Sequence, residues 1–238
     1  NLGIARGFAR LGAPVGICGR TEAKLEAARE ELEGLGAEVY TGSCDVRDPA
    51  AVDRVVREAG DALGGLHTLV CGAAGNFPAP AESLSPNGFK AVVDIDLIGA
   101  FNACKAAFEA LRASRGNVIF VSAGQAMYAY PMQAHVCAAK AGVDHLMRTL
   151  ALEWGAHGIR ANSIAPGPIA DTEGMKRLAP PGAEARVAAT VPLGRLGTVE
   201  DIASCAVFLA SPLAGYVSGT VIMADGGQNL AGSGPITQ

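Results

Sequence analysis

Short apolar runs alternate with longer segments of helical periodicity along nearly the whole chain, and this alternation restricts the possible folds more than any other feature. The runs at Pro14–Cys18, Glu38–Ser43, Thr68–Cys71, Val118–Val121, Arg160–Ile164 and Val221–Ala224 have the length and content of buried strands. Helices are predicted between them. The first runs from Asn1 to about Leu11 and stops at Gly12; the next is capped by Thr21 and runs to about Leu35; another opens at Pro49, where proline fits. A long helix is predicted from about Pro86 to Arg112 behind Ser85, and another from about Gln133 through Lys140 and Met147. A helical excursion between Thr172 and Thr190 and a helix over Glu200–Ala210 complete the set. Strands joined by helices of about ten residues or more require right-handed crossovers, and so a parallel sheet covered on both faces. The expected fold is α/β, a doubly wound parallel sheet of the Rossmann type.

A chain of 238 residues, half of them hydrophobic and 18% charged, can bury one sizeable core, and nothing divides it, so residues 1–238 are expected to form a single domain. The net charge of −4 and the lack of a basic run argue against nucleic acid as a partner. Six cysteines without a C-x-x-C pair suit a reduced, intracellular protein with buried thiols, and a cytoplasmic location is expected. No run of about eighteen apolar residues would span a membrane. His135, His145 and His157 lack ligand spacing with Cys or acid partners, so no metal is expected.

Within the stretch from Val118 to Arg148 a strand, a loop and a helix follow one another, and helical spacing puts Val136 and Lys140 on one face. This arrangement resembles the active-site segment of the short-chain dehydrogenase/reductase family, in which a strand delivers Ser and the next helix delivers Tyr-x-x-x-Lys. Lys140 is present, but the Ser position is Ala123 and the Tyr position is Val136. AAGNF, SPNGFK, VVDIDLIGAFN, APGPIADTEGMKRL and PLGRLG, in that order, resemble the 2,4-dienoyl-CoA reductases of that family, most closely the peroxisomal type. Aligned on Gly12-Ala13, the opening matches the family's first helix. The first strand and most of the glycine-rich phosphate turn are therefore expected to be missing from the sequence, together with any targeting signal ahead of them. The ending PITQ shows no peroxisomal address.

In a doubly wound fold the end of the second strand meets the adenosine ribose, where an acid would bind its hydroxyls. Gly19 stands there, followed by Arg20, whose guanidinium could pair a 2′-phosphate, so NADPH is expected over NADH; a solvated helix start is the plainer role for Arg20. The remaining roles are implied by the resemblance. Asp45 contacts the adenine amino group beside Val46, and a role as turn acceptor or cap is compatible with that contact. Cys71, Gly72 and Ala73 bring backbone close to the cofactor. Pro166, Gly167 and Ile169 pack on the nicotinamide, with Pro168 between them, and Thr172 reaches a phosphate. Asn76 and Phe77 line the substrate site. Residues 172–190 form a lid whose Lys176 and Arg177 meet coenzyme A phosphates, or are a solvated basic turn.

Asp96 is by resemblance the catalytic aspartate and Lys140 its lysine partner, which also binds the nicotinamide ribose. Such a pair in a dry pocket is expected to hold water and to shift both pKa values, with Lys140 keeping Asp96 charged. Tyr128 and Tyr130 match neither Gln125, the tyrosine position of the mitochondrial reductases, nor Gln133, that of the enoyl thioester reductases. They line the pocket or simply pack. Arg195 and Asp225-Gly226-Gly227 resemble the subunit-packing region, and apolar helices around Ala91–Ala110 and Lys140–Leu152 point to a homotetramer.

The activity this implies is NADPH-dependent reduction of a 2,4-dienoyl-CoA to the trans-3-enoyl-CoA in unsaturated fatty acid β-oxidation. Two other readings stand beside it: reduction of another conjugated carbonyl or thioester, and a catalytically silent binding or assembly subunit.

Overall fold

The computed structural model describes residues 1–178 and 182–230, with the side chains of Arg177 and Leu178 also left aside. Six strands are all parallel where they pair: β1 (Val15–Gly19), β2 (Val39–Ser43), β3 (Thr68–Cys71), β4 (Asn117–Val121), β5 (Arg160–Pro166) and β6 (Val221–Ala224). Their hydrogen bonds make two groups, β1 with β2 and β3-β4-β5-β6 in that order, and β1 and β3 do not pair with each other. The helix α1 (Leu2–Ala9) ties the groups together. Ile4 packs into the cluster of Ile119 and Ile164, while Leu2 and Ala5 pack on Val15 and Leu32.

The other helices follow the predicted order. They are α2 (Glu22–Glu33), α3 (Pro49–Ala62), α4 (Pro86–Val93), α5 (Gly99–Ser114), α6 (Ala134–Trp154), α7 (Glu173–Leu178), α8 (Glu184–Ala189) and α9 (Val199–Ala210). Pro49 stands at the start of α3 behind Asp48, whose carboxylate accepts from Ala50 N and Ala51 N. Thr21 sits at the head of α2 as expected, but its hydroxyl makes no capping bond. On the face of the sheet away from α5 and α6, α1 meets α9 closely. A Cβ at Gly3 would lie 2.6 Å from that of Val199, so only glycine lets the two backbones approach.

The main core lies between β3–β5 and the helices α5 and α6, where Leu111, Val118, Phe120 and Met147 are fully buried. One element departs from the sequence expectation in a way that matters. The single helix predicted from Pro86 to Arg112 is interrupted by a π turn over Asp94–Ile98, which joins α4 to α5. The thiols also differ from expectation: Cys44 and Cys104 are buried, but Cys18 is exposed and the other three are intermediate. Among the described residues no helix is long and apolar enough to cross a membrane.

Candidate active site

The π turn carries Asp96. Widening a helix by one residue rotates the following side chains, and π turns of this kind are frequent at functional sites. Here the turn takes the carboxyl out of water, with a side-chain exposure of 0%. Asp96 Oδ1 accepts a hydrogen bond from Gly75 N at 2.6 Å, in the loop after β3. Asp96 Oδ2 lies 3.3 Å from Lys140 Nζ on α6, whose own side-chain exposure is 7%. The ammonium also donates to Val121 O, at the end of β4, over 2.9 Å. A strand end, a loop, a π turn and a helix thus converge on one buried acid–base pair.

Burial pushes the Asp96 carboxyl above its ordinary pKa. Lys140, the Gly75 N–H and His135 all pull the other way and do not offset it. Lys140 favours the carboxylate, as expected, without cancelling the effect of burial. The cation is in place, but desolvation is the larger effect, and a carboxyl with a raised pKa is better suited to giving up a proton on demand.

The missing hydroxyls leave no gap. Val136 is buried in an apolar cluster with Val92 and Ala139. Ala123 precedes a short turn at Gly124–Ala126. Gln125 Nε2 donates to Gln133 Oε1 at 3.0 Å, so the two alternative tyrosine positions are occupied by amides bonded to each other. Tyr128 and Tyr130 are partly exposed in the intervening loop, and burial raises the Tyr130 phenol pKa.

The predicted cofactor residues gather at the carboxyl ends of the strands, where doubly wound sheets bind nucleotides. Gly19 ends β1, and Arg20 follows it, exposed. Asp45, after β2, is held in a fork by Arg47, with Nε at 2.9 Å and Nη2 at 2.6 Å, and also accepts from Arg47 N. These bonds, with the Arg20 charge contributing least, lower its pKa to about 2; Asp45 serves as a turn acceptor, a role compatible with an adenine contact. Val46 O takes the amide of Asn102 at 2.9 Å. Cys71 ends β3 with its sulfur 3.8 Å from that of Cys104, Gly72 O accepts from Asn1 Nδ2 at 2.6 Å, and Ala73 is half-buried beside them.

After β5, Gly167 N donates to Ala224 O at 3.0 Å, and a Cβ at Gly167 would lie 2.6 Å from Asp225 Cα, a contact only glycine allows. Pro166 closes β5, and Ile169 is buried and bridges to Gly197. The set fits a dinucleotide: the exposed Arg20 follows Gly19 at one end, and the buried Lys140 stands at the other. A nicotinamide cofactor supplies or accepts a hydride when bound.

Two predicted ligands have local partners. Thr172 Oγ1 donates to Ile169 O at 2.8 Å and accepts from Met175 N at 3.3 Å, so its hydroxyl is committed to the first turn of α7 rather than free for a phosphate. Lys176 is exposed and pairs with Glu173 one turn away at 3.6 Å, the solvated basic turn rather than a preformed phosphate site. The Arg177 side chain, and residues 179–181 of the expected lid, lie outside the described residues, as does the ending PITQ. Asn76 is half-buried, and the Phe77 ring packs on that of His135 with centroids 4.5 Å apart. Arg195 forks Asp201 at 2.7 and 3.1 Å, and Asp201 closes the capping box of α9. Asp225 accepts from Gly227 N and Asn229 N. Among the described residues no group of three or more His, Cys, Asp or Glu could hold a metal ion.

Residues 2–229 match the family described as Enoyl-(Acyl carrier protein) reductase. The chain belongs to the short-chain dehydrogenase/reductase family. It is 44% identical to the peroxisomal 2,4-dienoyl-CoA reductase SPS19, (3E)-enoyl-CoA-producing, of Saccharomyces cerevisiae, over 91% of this chain and 76% of that protein. It is also 44% identical to a probable 2,4-dienoyl-CoA reductase, (2E)-enoyl-CoA-producing, of Bacillus subtilis, over 95% and 91%. Among solved structures it is similar to a gluconate 5-dehydrogenase from Burkholderia cenocepacia in complex with NADP and tartrate, with 30% identity, a TM-score of 0.90, and coverage of 97% of this chain and 91% of that one. Like the family, this short-chain dehydrogenase/reductase is an oxidoreductase that uses a nicotinamide cofactor. Reading the sequence missed the π turn, the Gly75 N–H, the Val121 carbonyl and the buried His135. None has a side-chain pattern that announces it.

Proposed function

We propose that this reductase uses NADPH to reduce a 2,4-dienoyl-CoA to the trans-3-enoyl-CoA, as a step in unsaturated fatty acid β-oxidation. The observation that carries the reading is the buried Asp96–Lys140 pair in a site without the family's Ser and Tyr. Reduction of a ketone needs a hydroxyl acid aimed at the carbonyl oxygen. A conjugated thioester accepts hydride at its far end, C5, while charge spreads to the thioester oxygen, and the proton then goes to carbon. Asp96, with its raised pKa, is the group suited to supply that proton through a held water. Protonation at C2 leaves the 3-enoyl product; protonation at C4 leaves the 2-enoyl product. The Bacillus relative favours the second outcome and the yeast relative the first.

In this reading Lys140 binds the nicotinamide ribose, Asn76 and Phe77 line the acyl pocket, and Pro166, Gly167 and Ile169 pack on the nicotinamide. Residues 172–190 cover the substrate within one domain spanning 1–238, in a cytoplasmic protein. The decisive assay follows NADPH absorbance with 2,4-hexadienoyl-CoA and longer analogues, with the product double bond located by NMR. Turnover of dienoyl-CoA and none of simple ketones is expected; the reverse pattern overturns the proposal.

The cofactor choice rests on Gly19 and the exposed Arg20. NADPH is expected to bind more tightly than NADH, and Arg20→Ala to lose about 1–3 kcal/mol of that preference. Equal affinities in the parent protein, measured by fluorescence titration, would refute it. A homotetramer is also expected, because Ile98, Phe101 and Leu152 are exposed on α6 and around the start of α5. Light scattering at micromolar concentration checks the mass.

A further inference from the structure

His135 is fully buried at the start of α6, and neither ring nitrogen has a hydrogen-bond partner among the described residues. An imidazole so placed is unusual, since a neutral ring carries one donor and one acceptor that native interiors satisfy. Asp96 Oδ2, in the same state of burial, likewise accepts no hydrogen bond, although Lys140 Nζ stands 3.3 Å away. One loop joins the two groups: Gly75 N holds Asp96 Oδ1, and two residues on, the Phe77 ring packs against His135. The imidazole is also within electrostatic reach of the carboxyl, where a charge on it would stabilise the carboxylate. Val92, Val136 and Ala139 make the nearby surface of α4 and α6 apolar, and the amide of the buried Gln133, two residues before His135, is engaged by Gln125.

We infer that His135 is a positioning residue that, with Asp96 Oδ2, holds between them the water through which the substrate carbon is protonated. A buried water needs two or more polar partners, and these unmatched atoms provide them. The imidazole fixes the water's orientation, so that the proton leaving it for carbon is replaced from Asp96 and its partner lone pair stays directed at the ring. The inference deepens the dienoyl-CoA reductase reading and rests on it for the identity of the proton acceptor.

The test has one arm that needs no turnover. A high-resolution crystal structure of the parent with NADP is expected to show an ordered water within about 3.2 Å of an imidazole nitrogen and of Asp96 Oδ2. His135→Phe, which keeps a ring against Phe77, is expected to lose that water. In the kinetic arm His135→Phe is expected to lower kcat with 2,4-hexadienoyl-CoA by about 10–100-fold, as a misplaced reacting group does. KM should change little, and the solvent deuterium isotope effect on kcat should rise as protonation becomes limiting. His135→Gln, which restores an amide to the same corner, should recover much of the loss.

No bridging water in the parent, or a His135→Phe enzyme with the parent's kcat, overturns the inference. So does a slow variant whose isotope effect is unchanged and which Gln does not rescue, because packing alone would then explain it. Should His135→Phe fail to fold, the parent's water and the kcat and isotope effect of His135→Gln decide. If the parent turns over no dienoyl-CoA, the functional reading falls, while the bridging water still stands or falls by the map.

Discussion

Asp96→Ala is expected to lower turnover of a dienoyl-CoA by about 10²–10⁴-fold while NADPH binding changes little, because the lost contribution is general acid assistance at carbon. Asp96→Asn should be nearly as slow, since an amide keeps the bond from Gly75 N but has no acidic proton to give. Its stability should move the other way. The folded-state pKa of Asp96 is raised above its ordinary 3.8, so the folded protein binds that proton more tightly than the unfolded chain does. Ionisation therefore costs stability, fully so above the raised value, and the cost disappears as pH falls through it toward 3.8. At neutral pH Asp96→Asn should melt no lower than the parent, and any advantage should shrink in acid. An inactive variant of equal or higher Tm fits a site that trades stability for chemistry. Adding Ala123→Ser and Val136→Tyr should not rescue it, because those hydroxyls aim at a carbonyl oxygen. An Asp96→Ala enzyme as active as the parent would show that the proton comes from elsewhere.

Lys140→Ala is expected to damage both binding and chemistry. Its ammonium joins Val121 O at the end of β4 to Asp96 in the π turn, so removing it unties the strand end from the helix as well as the pair. Breaking a buried pair by deleting one partner ordinarily costs about 3–5 kcal/mol. The loss here should be smaller, about 1–3 kcal/mol, because Asp96 can take a proton and leave no bare charge behind. Without the Lys140 cation the Asp96 carboxyl should rise further, which moves the acid limb of its stability profile upward in pH. Calorimetry across pH checks that shift, and titration with NADPH checks the loss of cofactor affinity. A variant that binds NADPH as the parent does would remove Lys140 from the ribose.

The alternation of apolar runs and helical periodicity was enough for the parallel α/β fold, since burial on two faces demands that pattern wherever a strand lies inside. The β3 strand was read to its limits, and Pro49 and Ser85 marked helix starts that local chemistry decides. Asp96 and Lys140 were also legible, because the motif resemblance names residue types and order. What only the tertiary structure decided depends on partners distant in sequence. The π turn leaves the apolar spacing of α4 and α5 almost unchanged, so no periodicity reveals it, yet it turns Asp96 toward Lys140, 44 residues away. The direction of the Asp96 pKa shift needed the contest between desolvation and a nearby cation, and sequence contains neither depth nor distance. Thr172, Asp45 and Lys176, each given a ligand role by resemblance, also have short-range partners that only the structure shows, Met175 and Glu173 in α7 and Arg47 after β2. His135 looked like an idle histidine until the fold buried both its nitrogens without a hydrogen-bond partner among the described residues.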